Sequence, residues 1–192
     1  MRICVDAGHG GRDPGAVGRD PFLLREKDFN LDLAERLEGH LRERGWHPLL
    51  TRRADRSLSP ASRAAFANRL DADLFLSLHA NAAAVPEAEG MEVFCFPGSR
   101  RGAVLGRQLL DHLLARFPGH RDRGVKEADF AVLRLTRMPA VLVEHEFLTN
   151  PSQLRFLAEP QTRDGIAAVL AAGVAAAAAE LGLSHQGWIF VP

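Results

Sequence analysis

Three short apolar runs each lead to a residue capable of metal or acid–base chemistry. Ile3-Cys4-Val5 leads through Asp6-Ala7-Gly8 to His9, Leu74-Phe75-Leu76-Ser77-Leu78 to His79, and Ala140-Val141-Leu142-Val143 to Glu144. Glu26 stands just ahead of the first helical pattern. Two imidazoles and a carboxylate make a catalytic zinc set that leaves the fourth position for water. Zinc then acts as a Lewis acid and brings the pKa of that water to about 7. A separate carboxylate serves such a site as general base and then general acid, and Glu144 is the candidate.

Taken singly, each residue also has a plainer reading. His9 lies in a glycine-rich turn, and His79 is able to hydrogen-bond a backbone carbonyl. Glu26, inside Arg25-Glu26-Lys27-Asp28, reads equally as a solvated or capping charge. Glu144 is harder to set aside, because a carboxylate following an apolar run needs a partner. His40, His47, His112, His120 and His185 fall in helical or loop contexts and are read as surface residues. Two nucleotide readings of the first loop fail. Counting from Gly8, the sixth position of a dinucleotide fingerprint is Asp13, and Gly15 is followed by Ala16-Val17 rather than Lys-Ser/Thr.

The elements that must position these residues alternate. The apolar runs read as buried strands, joined by a second strand at 46–51 and a fourth at 91–96. Phe29, Leu33, Leu37 and Leu41 make one face of a helix running from about Asp28, as N-cap, to Arg44, with Gly45 ending it. Ser59-Pro60 opens a second helix, and 99–117 is a third. The stretch 118–127 reads as a charged loop and 130–135 as a short strand or extended segment. Pro151 starts a short helix, and an Ala-rich helix from Ile166 to Leu183 closes the core. This alternation predicts one α/β domain, a mostly parallel twisted sheet with helices on both faces, over residues 1–183. Residues 184–192 read as a C-terminal tail.

Bulk properties narrow the partners. With 24 basic and 24 acidic residues among 192, the chain carries no net charge that would draw nucleic acid or an anionic membrane. The Ala-rich helix is interrupted by Glu180 and reads as packed on the sheet, not as a membrane span. Cys4 and Cys95 sit inside apolar runs and read as buried free thiols, not a disulfide.

The chain resembles the zinc-dependent N-acetylmuramoyl-L-alanine amidases of the amidase 3 type. The matching segments are Val5-Asp6-Ala7-Gly8-His9-Gly10-Gly11 with Asp13-Pro14-Gly15-Ala16, and Glu26-Lys27-Asp28-Phe29-Asn30-Leu31. Next come Thr51-Arg52 with Asp55, Leu58, Arg63 and Ala67-Asn68, then Ala72 to Ala82 around His79. The last are Arg123-Gly124-Val125-Lys126 and Met138 to Glu144 with Phe147-Leu148 and Asn150. The resemblance implies one zinc per chain on His9, Glu26 and His79, with Glu144 as catalytic carboxylate. It implies hydrolysis of the amide between N-acetylmuramic acid and L-alanine of peptidoglycan, with zinc-bound water as nucleophile. Asn81 and Arg63 are expected to shape the site or hold substrate.

Several further expectations follow. The protein acts on the cell wall, as an autolysin or endolysin does, although no signal peptide is visible. Synthesis in the cytoplasm with release by lysis, or excision from a precursor, fits both facts. The interval from His79 to Glu144 leaves no room for an inserted blocking helix, so a monomer active without an activator protein is expected. Glu146 stands where the family usually has glycine. It is read as tuning Glu144, replacing it, or pointing to solvent, with Glu144 preferred for its spacing from Pro139. Two other readings use the same residues. One is a wall-binding module without turnover, separable by zinc content and dye release from labelled walls. The other is a zinc hydrolase of a different amide, separable by mass spectrometry of the fragments.

Overall fold

The computed structural model describes residues 1–183, so the expected tail at 184–192 and His185 lie outside the described residues. The first strand, β1 (Arg2–Ala7), is central, and everything but its first residue is buried. A two-residue hairpin follows, β2 (Val17–Gly18) with β3 (Leu24–Arg25). It leads into α1 (Glu26–Glu43), which starts two residues before the expected N-cap at Asp28. The reason lies in the preceding loop. Ala16 and Pro14 offer their carbonyls to the amides of Glu26 and Lys27, satisfying two donors that a helix start otherwise leaves unpaired. Phe29, Leu33, Leu37 and Leu41 are fully buried, as the spacing predicts.

The chain continues through β4 (His47–Leu50), α2 (Pro60–Arg69), β5 (Leu74–Asn81), β6 (Met91–Cys95), α3 (Arg100–Arg116) and β7 (Asp122–Glu127). It closes with α4 (Ala131–Arg134), β8 (Ala140–Phe147), α5 (Pro151–Ala158) and α6 (Pro160–Glu180). The six-stranded sheet has the order β4-β1-β5-β8-β6-β7. Four strands are parallel, and β6 joins β8 antiparallel with β7 parallel to it. The fold is therefore the single α/β domain the alternation predicts, with a mostly parallel sheet.

Helices cover both faces. On one, Ile3, Val5 and Leu76 pack with the apolar faces of α1, α3 and α6. On the other, Cys4, Phe75 and Leu142 pack with Ala67 of α2 and Val132 and Leu133 of α4. Helix α6 is long and apolar enough to cross a membrane by composition. Here Ile166, Leu170 and Val174 are fully buried in the core with α1 and α3. Cys4 and Cys95 are buried free thiols.

Two local expectations are corrected. The stretch 118–127 contains the edge strand β7, whose charges hide a strand because an edge tolerates them and Glu92 pairs with two of them. The stretch 130–135 is the short helix α4, which buries Val132 and Leu133. In addition, β5 and β8 run past His79 and Glu144 instead of ending there.

From β1 the chain crosses to β4 on one side and then returns to β5 on the other. The crevice between β1 and β5, at their carboxyl ends, is thus the point where strand order reverses. Open α/β sheets place ligands there.

Candidate metal centre and catalytic cleft

His9 leaves β1 with φ +57°, a left-handed conformation that costs a non-glycine residue about 1–3 kcal/mol. The surroundings hold it there. The Arg63 guanidinium donates to the carbonyl of His9 at 2.6 Å, and Asp13 Oδ2 lies 2.7 Å from His9 Nδ1. That carboxylate fixes the ring and leaves Nε2 facing Glu26 Oε2 at 3.1 Å. His79, on β5, brings Nδ1 to 2.8 Å from Glu26 Oε1. A Cβ on Gly8 would overlap the His79 ring, and one on Gly15 would overlap the Glu26 carboxylate. The glycines of the loop are the room in which these side chains sit.

Glu26 is buried and accepts from the amides of Ala16 and Ala80 at 2.7 and 3.1 Å. Burial opposes its charge, but His79 and His9 outweigh burial and hold the carboxyl well below its usual range. Burial likewise opposes the His9 cation, and Glu26 with Asp13 outweighs it, raising His9 to about 9. One donor atom from each of His9, Glu26 and His79 lies within 4.8 Å of the others. Two imidazoles and a carboxylate, with a further carboxylate orienting one imidazole, form a donor set that suits zinc.

Glu144 lies beside His79 in the parallel β5–β8 register. Both line a cavity of about 330 Å³ together with His9, Asp13, Arg63, Leu58, Phe130 and Val132. Glu144 Oε2 is buried and meets no hydrogen-bond partner among the described residues. Burial, assisted by the charges of Glu26 and Glu92, pushes its carboxyl up to about 7. A carboxyl near neutrality is suited to accept and return a proton.

Arg63 borders the cavity, but its donors go to Asp6 Oδ1, to the carbonyls of Ala7 and His9 and, through Nε, to Leu58. Its contacts anchor the His9 loop. Asn81 donates to Glu92 Oε1 at 2.6 Å. His120 is corrected from surface residue to packed one. Its ring lies against Phe156 and Phe117, and its Nδ1 is 2.8 Å from Glu146 Oε1.

Glu146 is fully buried and also accepts from the amide of Gly90 at 2.7 Å. Strand alternation would have put it beside Glu144. However, the β5–β8 register slips so that Asn81 faces Phe147, which places one extra residue on β8. Glu146 therefore neither frays into solvent nor enters the cavity lining. In Glu146→Gly the His120 ring and the Gly90 amide lose their acceptor, which should lower stability by about 1–3 kcal/mol. Turnover per folded molecule should persist. Chemical denaturation beside initial rates checks both, and a rate loss comparable to that of a Glu144 variant would move the acid–base role to Glu146.

Sequence reading missed His145, which is fully buried with Nδ1 2.8 Å from the carbonyl of His79. Its edge-to-face partner is Phe29 of α1. Its only signal was position, one step from Glu144 and so on the opposite face. Burial pushes its pKa down to about 4. Between pH 6.5 and 4 the unfolded chain binds a proton that the folded chain refuses, so stability is lost as pH falls through that window. The contribution is about 3 kcal/mol. In His145→Gln the acid limb of metal-free protein should flatten in unfolding titrations from pH 7 to 4. Unchanged limbs would refute the assignment.

Comparisons with known proteins place the chain in a family. Residues 3–176 match the family model Amidase_3, N-acetylmuramoyl-L-alanine amidase. The chain belongs to this family. The N-acetylmuramoyl-L-alanine amidase CwlM of Mycobacterium tuberculosis is 41% identical over 179 residues, which is 90% of this chain. The chain spans 44% of that relative's own length. The crystal structure of an N-acetylmuramoyl-L-alanine amidase from Clostridium difficile 630 superposes with a TM-score of 0.87 at 31% identity, covering 97% of this chain and 98% of that one. The CwlD amidase from Clostridioides difficile, solved in complex with the GerS lipoprotein, gives 0.85 at 26% identity, with 95% and 99% covered.

Proposed function

We propose that residues 1–183 form a zinc-dependent peptidoglycan amidase that hydrolyses the bond between N-acetylmuramic acid and L-alanine. The observation that carries the reading is that His9, His79 and Glu144 line one cavity at the switch point of the sheet, with the buried Glu26 within ligand distance of both imidazoles. Family membership supplies the substrate class.

His9, Glu26 and His79 would hold the ion. When bound, zinc supplies Lewis-acid polarisation of the scissile carbonyl and activation of water near neutral pH. Asp13 keeps the His9 ring turned toward the site, and Arg63 keeps the loop carrying it in place. Glu144 Oε2, without a hydrogen-bond partner among the described residues, takes the proton of the attacking water. The same carboxyl then protonates the departing amine of L-alanine, so amide and water are consumed and an acid and an amine are produced. Leu58, Phe130 and Val132 give the cavity an apolar wall that limits competing water.

Cell-wall action places the substrate outside the cytoplasmic membrane. A monomer that works without an activator is part of the proposal. The CwlD relative was solved with a lipoprotein, which makes the point worth testing. The decisive experiment is metal analysis of the purified protein with digestion of purified peptidoglycan, with and without chelator. About one zinc per chain, new L-alanine amino termini, and their loss on chelation with recovery on adding zinc are expected. Zinc binding without fragment release would favour a silent wall-binding module. Inertness relieved only by a partner protein would overturn the activator-free reading.

A further inference from the structure

A charged cluster on β6 and β7 lies outward of Glu144 on the cleft face of the sheet. Glu92 stands directly opposite Glu144 in the antiparallel β8–β6 register, so both side chains leave the same face. Glu92 is buried, and its carboxylate accepts from Asn81 Nδ2 at 2.6 Å, Arg123 Nε at 3.1 Å and Lys126 Nζ. Burial disfavours its charge, but Lys126 and Arg123 outweigh burial and hold the carboxyl below its usual range. One anion thus anchors two cations. The side chains of Lys126 and Arg123 remain 40% and 27% exposed, and Arg123 also donates to the carbonyl of Glu89 and lies over the Phe147 ring, so within the Glu92–Arg123–Lys126 triad cations outnumber the anion two to one. Two acids of β7 flank the triad and keep their charge: Glu127 accepts from the amide of Gly98, and Asp122 accepts from that of Gly124 and lies 3.9 Å from an Arg107 nitrogen.

The cluster is continuous with the cleft. Lys126 Nζ lies 5.8 Å from the centre of the Phe94 ring, Phe94 meets Phe130 edge-on at 5.2 Å, and Phe130 lines the cavity. Chemistry assigns the direction. Glu144 protonates the leaving amine, so the amine departs on the β8 side of the metal residues. Strands β6 and β7 are the next ones outward on that side. At about 4.8 Å per strand, β7 lies about 10 Å beyond Glu144, the span of about three extended residues. The sugar half, attached to the carbonyl, occupies the opposite side.

We propose that Lys126 and Arg123, held by Glu92, form an anion subsite for a free carboxylate of the stem peptide, two or three residues beyond the scissile amide. The inference rests on the amidase reading. It makes the enzyme selective for peptides whose stem carboxylates are free and not amidated.

The test compares muramoyl-peptide substrates with free and with amidated stem carboxylates. Wild-type enzyme should show a KM about 10-fold lower for the free form, the size of a charge-assisted contact. The double variant Lys126→Met/Arg123→Gln, made in a Glu92→Gln background so that no buried carboxylate is stranded beside Glu144, should erase that preference while the KM for the amidated form matches that of Glu92→Gln alone, which controls for misfolding. Lys126→Arg should retain it. Titration calorimetry of the free and amidated tripeptide products against Glu144→Gln reads the same preference without turnover. If wild type cleaves neither substrate, the amidase reading fails and the subsite with it. If it cleaves both with equal KM, or if the double variant keeps the preference, the subsite alone is overturned.

Discussion

Glu144→Gln should lower kcat on peptidoglycan by about 10²–10⁴-fold, the usual worth of a positioned acid–base group, while zinc content stays the same. The metal-free variant should also be more stable than wild type at pH 7.5. Burial raises the Glu144 carboxyl from its ordinary 4.5 to about 7, so the folded chain holds a proton that the unfolded chain has released. Stability from this group is therefore lost as pH rises from about 4.5 to 7. Glutamine does not ionise and escapes the loss. A gain of about 2–3 kcal/mol at pH 7.5, vanishing near pH 4, follows from the shift. Unfolding titrations in chelator check it. A kcat drop below 10-fold would remove Glu144 from the acid–base role, and an equal stability curve would remove the burial penalty.

Arg63→Met should cost about 3–5 kcal/mol, because it strands a buried carboxylate. Asp6 is 1% exposed and would keep only the hydroxyls of Thr51 and Ser77, at 2.6 and 2.7 Å. Adding Asp6→Asn should restore part of the loss, since the stranded charge then disappears. The single variant should also weaken zinc binding about 10–100-fold, because the left-handed His9 loses the donor that holds its carbonyl. Denaturant unfolding and competitive zinc titration measure the two effects. Retained stability would mean the guanidinium is free to serve substrate, the role first expected of it.

What was legible in the sequence was whatever a run of apolar residues announces. The buried strands, the α1 face at Phe29, Leu33, Leu37 and Leu41, and the residues following each strand were all visible by periodicity. Of the candidate site, His9, His79 and Glu144 came from their positions after apolar runs and Glu26 from its place ahead of the first helix, together with a family resemblance. The edge strand β7 was hidden because its charged residues pair with Glu92, a partner 31 to 34 residues away. The short helix α4 is four residues long and carries too little pattern to announce itself. Arg63 was placed near the site, but its engagement with Asp6 and two loop carbonyls depends on three segments meeting in space. His145 escaped for a different reason: sequence shows neighbours along the chain, and its partners sit on β5 and α1.

The register slip on β8 lets three consecutive residues serve three compartments: Glu144 the cleft, His145 the core against α1, and Glu146 the His120 contact. A chain shortened by one residue between Glu144 and Phe147 would keep nearly the same composition. It would lose this division of labour, because a single residue would then separate Glu144 from Phe147, and strand alternation gives that residue only one face to serve. Sequence alignments that close a gap at this point would thus equate residues with unrelated duties, and family-wide substitutions at position 146 are best compared only among chains that share the extra residue.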